Sequence, residues 1–533
     1  MNQLKPSPLH PAWLNAIYDP AMYPHIVSQI ELLETHISWV ILTGEWAYKL
    51  KKPVNFGFVD FTTLELRHVA CQEELRLNRR TAPLLYDGVV PLTTDDDGPC
   101  FGGSGTAVEY AVRMRQFAQR DLLENCLARN ELTIEMVDLL ARQVADLHRR
   151  AAVAGRETSY GEPDLIREMV QACFDHLSDN PLSDAQRKSL ARLKEWMTGE
   201  GDRLSARFVQ RKQQHWVREC HGDLHLGNLV LFRGKPTLFD CLEFNPQLRW
   251  IDVFSDIAFL VMDLHDRDQT ELAWRVLNQW LEQTGDYEGL YVLRYYLAYR
   301  ALVRAKVAAL RLQQSELTTG EEQHQHELLE SYLGLASRLA RPTQPAIVLM
   351  NGVSGSGKSF VARHLASRLE AVQIRSDVER KRLSGIGPSS AQSTLSPAVM
   401  YTDSVNAQTY LRLETLVRSI VGAGYPVIVD ATFLKSADRK RFIALAGELK
   451  VPLAIVACTA SAEVLRERID QRSRLGQDPS DADSKVLRHQ LVTAEPLDSS
   501  ELLSSVAVDS SRDDISDAAD QVRKRIRGSL ATA

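Results

Sequence analysis

Gly352-Val-Ser-Gly-Ser-Gly357-Lys358-Ser359 constrains this chain more than any other stretch, because the apolar run AIVLM (346–350) precedes it and FVARHLASRL (360–369) follows it. A strand of the fully buried kind, a glycine turn and a helix, in that order, make one βα unit of a parallel sheet covered by helices. In the turn, glycines let backbone N–H groups point inward, and the mouth of the following helix adds the positive end of its dipole, so the turn is built to hold phosphate. The pattern is G-x-x-x-x-G-K-[ST]. Gly352, Gly355 and Gly357 would shape the cradle, Lys358 would reach the outer phosphates of a nucleotide, and Ser359 could ligate magnesium.

The rest of such a sheet is visible downstream, where strand-like PVIVDAT and VPLAIVACT alternate with helical stretches. Asp430 ends one apolar run and Asp377 closes VQIRSD. Ligands in a parallel sheet sit at the carboxyl ends of the strands, which would bring both carboxylates to the crevice of Lys358. There Asp430 would hold magnesium, and Asp377 would either accept a hydroxyl proton or cap the helix VERKRL. Arg466, Arg468, Arg472 and Arg474 crowd one region, to be read as a solvated helix face or as a lid in which Arg468 and Arg472 clamp the transferred phosphate. These residues resemble the small P-loop kinases related to polynucleotide kinases, zeta-type toxins and gluconate or shikimate kinases. The resemblance spans roughly residues 345–533 and leaves the acceptor open.

At 533 residues the chain needs more than one core. Two prolines in RPTQP (341–345) break a long helical pattern just before the P-loop strand, which places a linker there and a P-loop domain over 346–533. Upstream, ISWVILTGEWAYKLKKPV reads as a hairpin about Thr43-Gly44, RHVACQEELRLNRR as a helix and TAVEYAVRMRQF as a further strand. A small β-rich lobe therefore covers 1–117. Amphipathic stretches make 118–340 a helical lobe, interrupted near 221–228.

That interruption is HGDLHLGN (221–228), followed by Asp240 in TLFDCLEF and by Asp252 and Asp256 in DVFSDIAF. The spacing H-G-D-x-x-x-x-N with a later Asp suits a kinase-like catalytic loop. Asp223 would deprotonate an acceptor hydroxyl, while Asn228 and Asp240 would hold magnesium on nucleotide phosphates. A zinc pair, His221 and His225, is opposed by the missing Glu of H-E-x-x-H and by Gly222 and Gly227. Asp256 reads as a buried carboxylate that fixes the loop backbone. The same chemistry needs a strand lysine for the phosphates and a helical Glu to hold it. Lys49 and Glu74 supply them, with Lys51 and Glu73 as rivals.

HGDLHLGN with the later FD and SDIAF resembles the aminoglycoside phosphotransferase and choline kinase superfamily, and the whole chain looks like bacterial proteins that join such a domain to a P-loop module. Leu226 stands where that superfamily often has proline, and Glu243 is an extra carboxylate near Asp240. The resemblance implies a bilobal protein-kinase-like α+β domain, then an α/β domain with a parallel sheet. It implies two ATP- and Mg2+-dependent phosphotransferase modules acting on hydroxyls of small molecules, such as a sugar, amino sugar or amino alcohol. Two alternatives stay open for the P-loop module: a nucleotide-dependent switch, or a polynucleotide 5′-hydroxyl kinase. A formal charge of -6 opposes extended nucleic-acid binding. Seven scattered cysteines without C-x-x-C oppose a disulfide frame or zinc site. The N-terminal segment shows neither a basic run nor an apolar core, so the expected location is the cytoplasm, away from membranes.

Overall fold

In a computed structural model, residues 11–57, 59–96, 98–313, 317–386, 402–475, 484–511 and 515–531 are described. The chain divides into two compact units, Met1–Leu165 with Val209–Leu260, and Ile166–Phe208 with Val261–Ala533. Among the described residues no helix is long and apolar enough to cross a membrane.

The first unit is built on an antiparallel sheet in the order β1-β2-β3-β6-β4-β5. Its strands are β1 (Glu31–Glu34), β2 (Ser38–Leu42), β3 (Trp46–Lys51), β4 (Tyr86–Asp95), β5 (Gly98–Phe101) and β6 (Thr106–Arg115). The hairpin read from the sequence is β2 and β3, with Val40 opposite Lys49. One face of the sheet buries Trp39, Ile41, Tyr48 and Leu50 with Leu14, Ile17 and Tyr23 of the N-terminal segment. On the other face Ala47, Val112 and Met114 pack with Cys71 of the helix Leu64–Asn78, which Thr63 caps by accepting from the Leu66 N–H. Helix and β3 are thereby held so that Glu74 and the lysines of β3 share a face. Two short ribbons follow. One pairs β7 (Val217–Glu219) with β10 (Trp250–Asp252), and the other is the hairpin of β8 (Leu229–Phe232) and β9 (Lys235–Leu238). HGDLHLGN lies between β7 and β8.

The second unit contains a five-stranded sheet in the order β12-β13-β11-β14-β15, parallel throughout. Its strands are β11 (Ile347–Asn351), β12 (Val372–Arg375), β13 (Val427–Asp430), β14 (Leu453–Thr459) and β15 (Ser505–Asp509). The unbroken apolar runs of the sequence are the central strands, buried on both faces as helix-covered parallel strands are. Val348, Met350, Ile428 and Val456 pack with Val361, Ala362 and Leu365 of the helix Lys358–Leu369 and with Val522 near the C-terminus. The helices Thr270–Thr284, Leu290–Leu312 and Thr319–Leu339 belong to this unit as well. The P-loop and the ends of β12 and β13 lie on the same edge of the sheet, because parallel strands all finish there.

Candidate functional site

In the first unit, side chains far apart in the sequence meet in one ion cluster. Lys49 Nζ lies 2.9 Å from Glu74 Oε1 and also donates to Asp240. Lys51 Nζ donates to Glu74 Oε2 at 2.5 Å and to Glu243. Both lysines sit on β3 two residues apart, so the strand's period of two turns them to the same face, and Glu74 holds one with each oxygen. They differ in reach: the Lys51 side chain is 0% exposed, whereas Lys49 meets Asp240, whose side chain is 37% exposed. Glu73 is engaged elsewhere, by Arg76 and Arg249. Glu243 belongs to the buried end of the cluster.

Two ammonium groups thus face three carboxylates, and the surplus negative charge ends at the exposed one, Asp240. Burial would raise the Glu74 carboxyl, but the charges of Lys49 and Lys51 outweigh it and bring it down to about 2. Burial would likewise lower Lys49, yet Asp240, Glu74 and Glu243 hold its ammonium well above the usual lysine range. Glu243 is raised, chiefly by burial against the pull of Lys51. Asp240 adopts a left-handed backbone, φ +59°, at the end of the segment that Tyr86 Oη holds by accepting its N–H at 3.2 Å.

Asp223 is 37% exposed and is held by Asn228 and His225. Asn228 Nδ2 donates to its Oδ2 at 2.8 Å and to its backbone oxygen at 2.9 Å, which leaves the Asn228 Oδ1 as the atom to offer a cation. His225 Nε2 lies 3.3 Å from the same Oδ2, while its Nδ1 accepts the Gly227 N–H at 3.1 Å. That acceptor role leaves the proton on Nε2, facing Asp223. His225 thus orients the carboxylate, a role the spacing D-x-H permits but residue type alone does not reveal. Asp256 underpins the loop: its two oxygens accept the backbone N–H groups of His221 at 3.0 Å and Gly222 at 2.9 Å, and His148 Nε2 lies 3.0 Å away. Burial alone would raise this carboxyl, but His148 and His221 with their N–H donors take it down to about 2. His148, Cys220 and Asp256 lie close enough to share a cation, but these partners already engage the carboxylate.

In the second unit a cavity of about 860 Å³ opens at the carboxyl edge of the sheet, and Lys358, Ser359, Asp377, Asp430 and Arg468 all line it. Gly352 is at φ +142°, and a Cβ there would stand 2.5 Å from the Cys458 carbonyl oxygen; Gly357, at φ +78°, leads into the helix Lys358–Leu369. Lys358 Nζ donates to the Val353 oxygen at 2.8 Å. Ser356 Oγ, in the loop itself, is buried and has no hydrogen-bond partner among the described residues. Inward-turning glycines, a helix mouth, a lysine and a spare hydroxyl fit the phosphates of a nucleotide.

Asp430 is buried at the end of β13, accepts from Gln373 Nε2 at 3.1 Å and lies 3.7 Å from Arg375 Nε. Asp377 is in the first turn of the helix Ser376–Leu383, whose N-cap is Arg375, and it accepts from Arg380 Nη1 at 2.5 Å. Arg468 donates to Ser510 Oγ and to the Ser510 oxygen, both at 2.8 Å, and to the Gly355 oxygen at 3.3 Å, so it leans on the P-loop. Arg466 is exposed. Arg472 and Arg474 lie on the helix Ala462–Leu475 with Arg468, and their side chains fall outside the described residues. Gln373 and Arg375, which hold Asp430, carry no sequence signal beyond a polar residue at every second place in a buried strand.

Residues 347–497 match the AAA domain family. An uncharacterized protein of Mycobacterium tuberculosis (strain H37Rv) is 29% identical over 448 residues, which cover 83% of this chain and 86% of that protein. Among solved structures, a gluconokinase from Sinorhizobium meliloti 1021 is 28% identical, with a TM-score of 0.25, over 36% of this chain and 95% of that one. A choline/ethanolamine kinase family protein from Mesorhizobium loti is 14% identical, with a TM-score of 0.35, over 61% of this chain and 97% of that one.

Proposed function

We propose that this protein is an ATP- and Mg2+-dependent phosphotransferase of two modules, each of which transfers a γ-phosphoryl group to a hydroxyl of a small molecule. The observation that carries the reading is that each module gathers a lysine and separated acidic groups at one place: Lys49 with Glu74 and Asp240, and Lys358 with Asp430 and Asp377 around one cavity. Bound magnesium nucleotide supplies the phosphoryl group and its counter-charge. In the first module Lys49 binds phosphate, kept charged and in place by Glu74, and Asn228 and Asp240 hold the metal. Asp223, oriented by Asn228 and His225, takes the proton as the acceptor oxygen attacks. In the second module the P-loop and Lys358 bind phosphate, Ser359 and Asp430 hold the metal, and Asp377 takes the acceptor proton. Arg468, with Arg472, balances charge on the transferred group. The acceptors are sugars, amino sugars or amino alcohols, and the protein works in the cytoplasm.

Calorimetric titration of the full chain with a non-hydrolysable ATP analogue tests the proposal. It should find two sites, with one lost in Lys358→Ala. A single site in the intact protein rejects it. Labelled ATP with a metabolite mixture, given to the Asp223→Asn chain and followed by mass spectrometry, then separates transfer by the P-loop module from the switch alternative, for which ATP hydrolysis would leave no phosphorylated acceptor.

A further inference from the structure

Strand β12 is an edge strand, and an edge strand leaves one row of backbone donors and acceptors unpaired by its sheet. Asn278, on the helix Thr270–Thr284, meets that row with both ends of its amide. Its Nδ2 donates to the Ala371 oxygen at 2.9 Å, and its Oδ1 accepts the Gln373 N–H at 2.7 Å, the two bonds a neighbouring strand would have made. One turn further along the same helix, Glu282 Oε1 lies 3.4 Å from Arg375 Nη1, and its backbone oxygen accepts from Arg382 Nη2 at 2.6 Å. Gln373 and Arg375 reach Asp430 with their side chains, while Arg382 is on the helix that carries Asp377. A helix that precedes the proline-containing segment 341–345 is therefore joined to Asp430 and Asp377, two of the carboxylates that line the P-loop cavity, through one intervening side chain or element each.

We propose that Asn278 and Glu282 are positioning residues of the P-loop site: they fix Gln373 and Arg375 against Asp430 and so set how well that carboxylate holds the nucleotide's metal. The inference rests on the reading of Asp430 as a metal residue. Its physical basis is that a ligating carboxylate must present one oxygen in a fixed direction, and hydrogen bonds to its other lone pairs give that direction. Gln373 Nε2 takes one such lone pair on Oδ2. Arg375, shared between Glu282 and Asp430, also limits the negative charge that Asp430 shows to the cavity. Without Glu282 the guanidinium would lose that pull away from Asp430 and compete more strongly with the cation.

The test uses the full chain and the same ATP analogue, titrated with and without Mg2+, and follows the site that Lys358→Ala removes. In the wild type Mg2+ should strengthen binding there, and Asp430→Asn should abolish that enhancement. Asn278→Leu should cut the enhancement by about tenfold, the usual lower range for losing a group that orients a metal ligand. Glu282→Gln should cut it less, and Mg2+-free affinity should be unchanged in both. An unaltered enhancement in both variants overturns the inference, as does an equal loss with and without Mg2+, which would mark a purely structural helix. Should Asn278→Leu fail to fold, Glu282→Gln decides alone. If Asp430→Asn keeps the full enhancement, the metal assignment itself falls and this inference with it. If only the helix variants behave as wild type, the metal assignment stands and the inference alone fails.

Discussion

The two candidate sites solve the same electrostatic problem in opposite ways. Around Lys49 the protein assembles charge against charge, with lysines and carboxylates from β3, the helix Leu64–Asn78 and the segment after β9 neutralising one another in a buried cluster. Around Lys358 the protein assembles backbone: glycines, a helix mouth and a lysine resting on a carbonyl oxygen of its own loop. The first arrangement depends on long-range packing and leaves buried carboxylates short of counter-charge when either lysine is lost. In the second, the phosphate cradle itself is almost wholly local, although the carboxylates beside it are not. Stability and binding should accordingly be coupled at the first site and separable at the second.

The largest effect expected from a single side chain that leaves the cluster intact is at Asp223. Asp223→Asn should lower turnover at the first site by about 10²–10⁴-fold, the range for losing a positioned base, while both sites of the calorimetric titration remain. The amide still accepts from Asn228 and His225, so the loop should keep its shape. Normal turnover in this variant would remove the base from the comparison and leave the cluster as a binding site only.

Next in size is a direct test of the coupling itself. Lys51→Met leaves Glu74 and Glu243 buried with one ammonium between them, which should destabilise the first unit by about 3–5 kcal/mol. Lys358→Ala, in contrast, removes a side chain hydrogen-bonded to a local carbonyl, and its melting temperature should stay close to wild type while analogue binding at that site disappears. Differential scanning calorimetry with titration of both variants reads the two quantities. Equal stability in both variants would mean that the buried cluster relaxes as easily as the P-loop, contrary to the comparison drawn above.

The same contrast explains what the sequence revealed. Glycine spacing, an apolar strand before it and a helix after it are contiguous, so the P-loop, its lysine and its place in a parallel sheet were legible in the order of residues. HGDLHLGN was legible for the same reason, and so was the place of Asp240 a dozen residues later. The pairing of lysines and carboxylates was not, because β3 presents Lys49 and Lys51 on one face and the choice between them is made by which acidic groups fold against each. Glu73 and Glu74 are told apart likewise by groups from other elements, Arg249 on Glu73 and the lysines on Glu74. Strands β4 and β5 were missed because Pro and Gly weaken their alternation. Asn278 was invisible: nothing in an amphipathic helix distinguishes an asparagine facing water from one that completes a sheet edge.

The smallest predicted effect concerns Asp256, where the first site depends on charge but not on substrate. Its carboxyl titrates near 2 in the folded protein, below the ~3.9 of an unfolded aspartate. A carboxyl with a depressed folded value lends stability above its unfolded value and loses it as pH falls through the folded one, so the anchoring should be complete above about pH 4 and fade toward pH 2. The amides of His221 and Gly222 donate to this carboxylate, which makes their hydrogen-exchange protection the local reporter, free of the unfolding of other parts of the chain. In the wild type, protection of the segment 217–228, corrected for intrinsic exchange, should hold down to about pH 4 and then fall. Asp256→Asn should start lower, by about 1–3 kcal/mol as expected for a buried group that loses a charged partner, and should show little further change over the same interval. The two curves should therefore converge in acid. Parallel curves would mean that Asp256 titrates as an ordinary aspartate, and that hydrogen-bond geometry rather than its charge holds the loop 221–228, which would bring the first site closer to the backbone-built logic of the second.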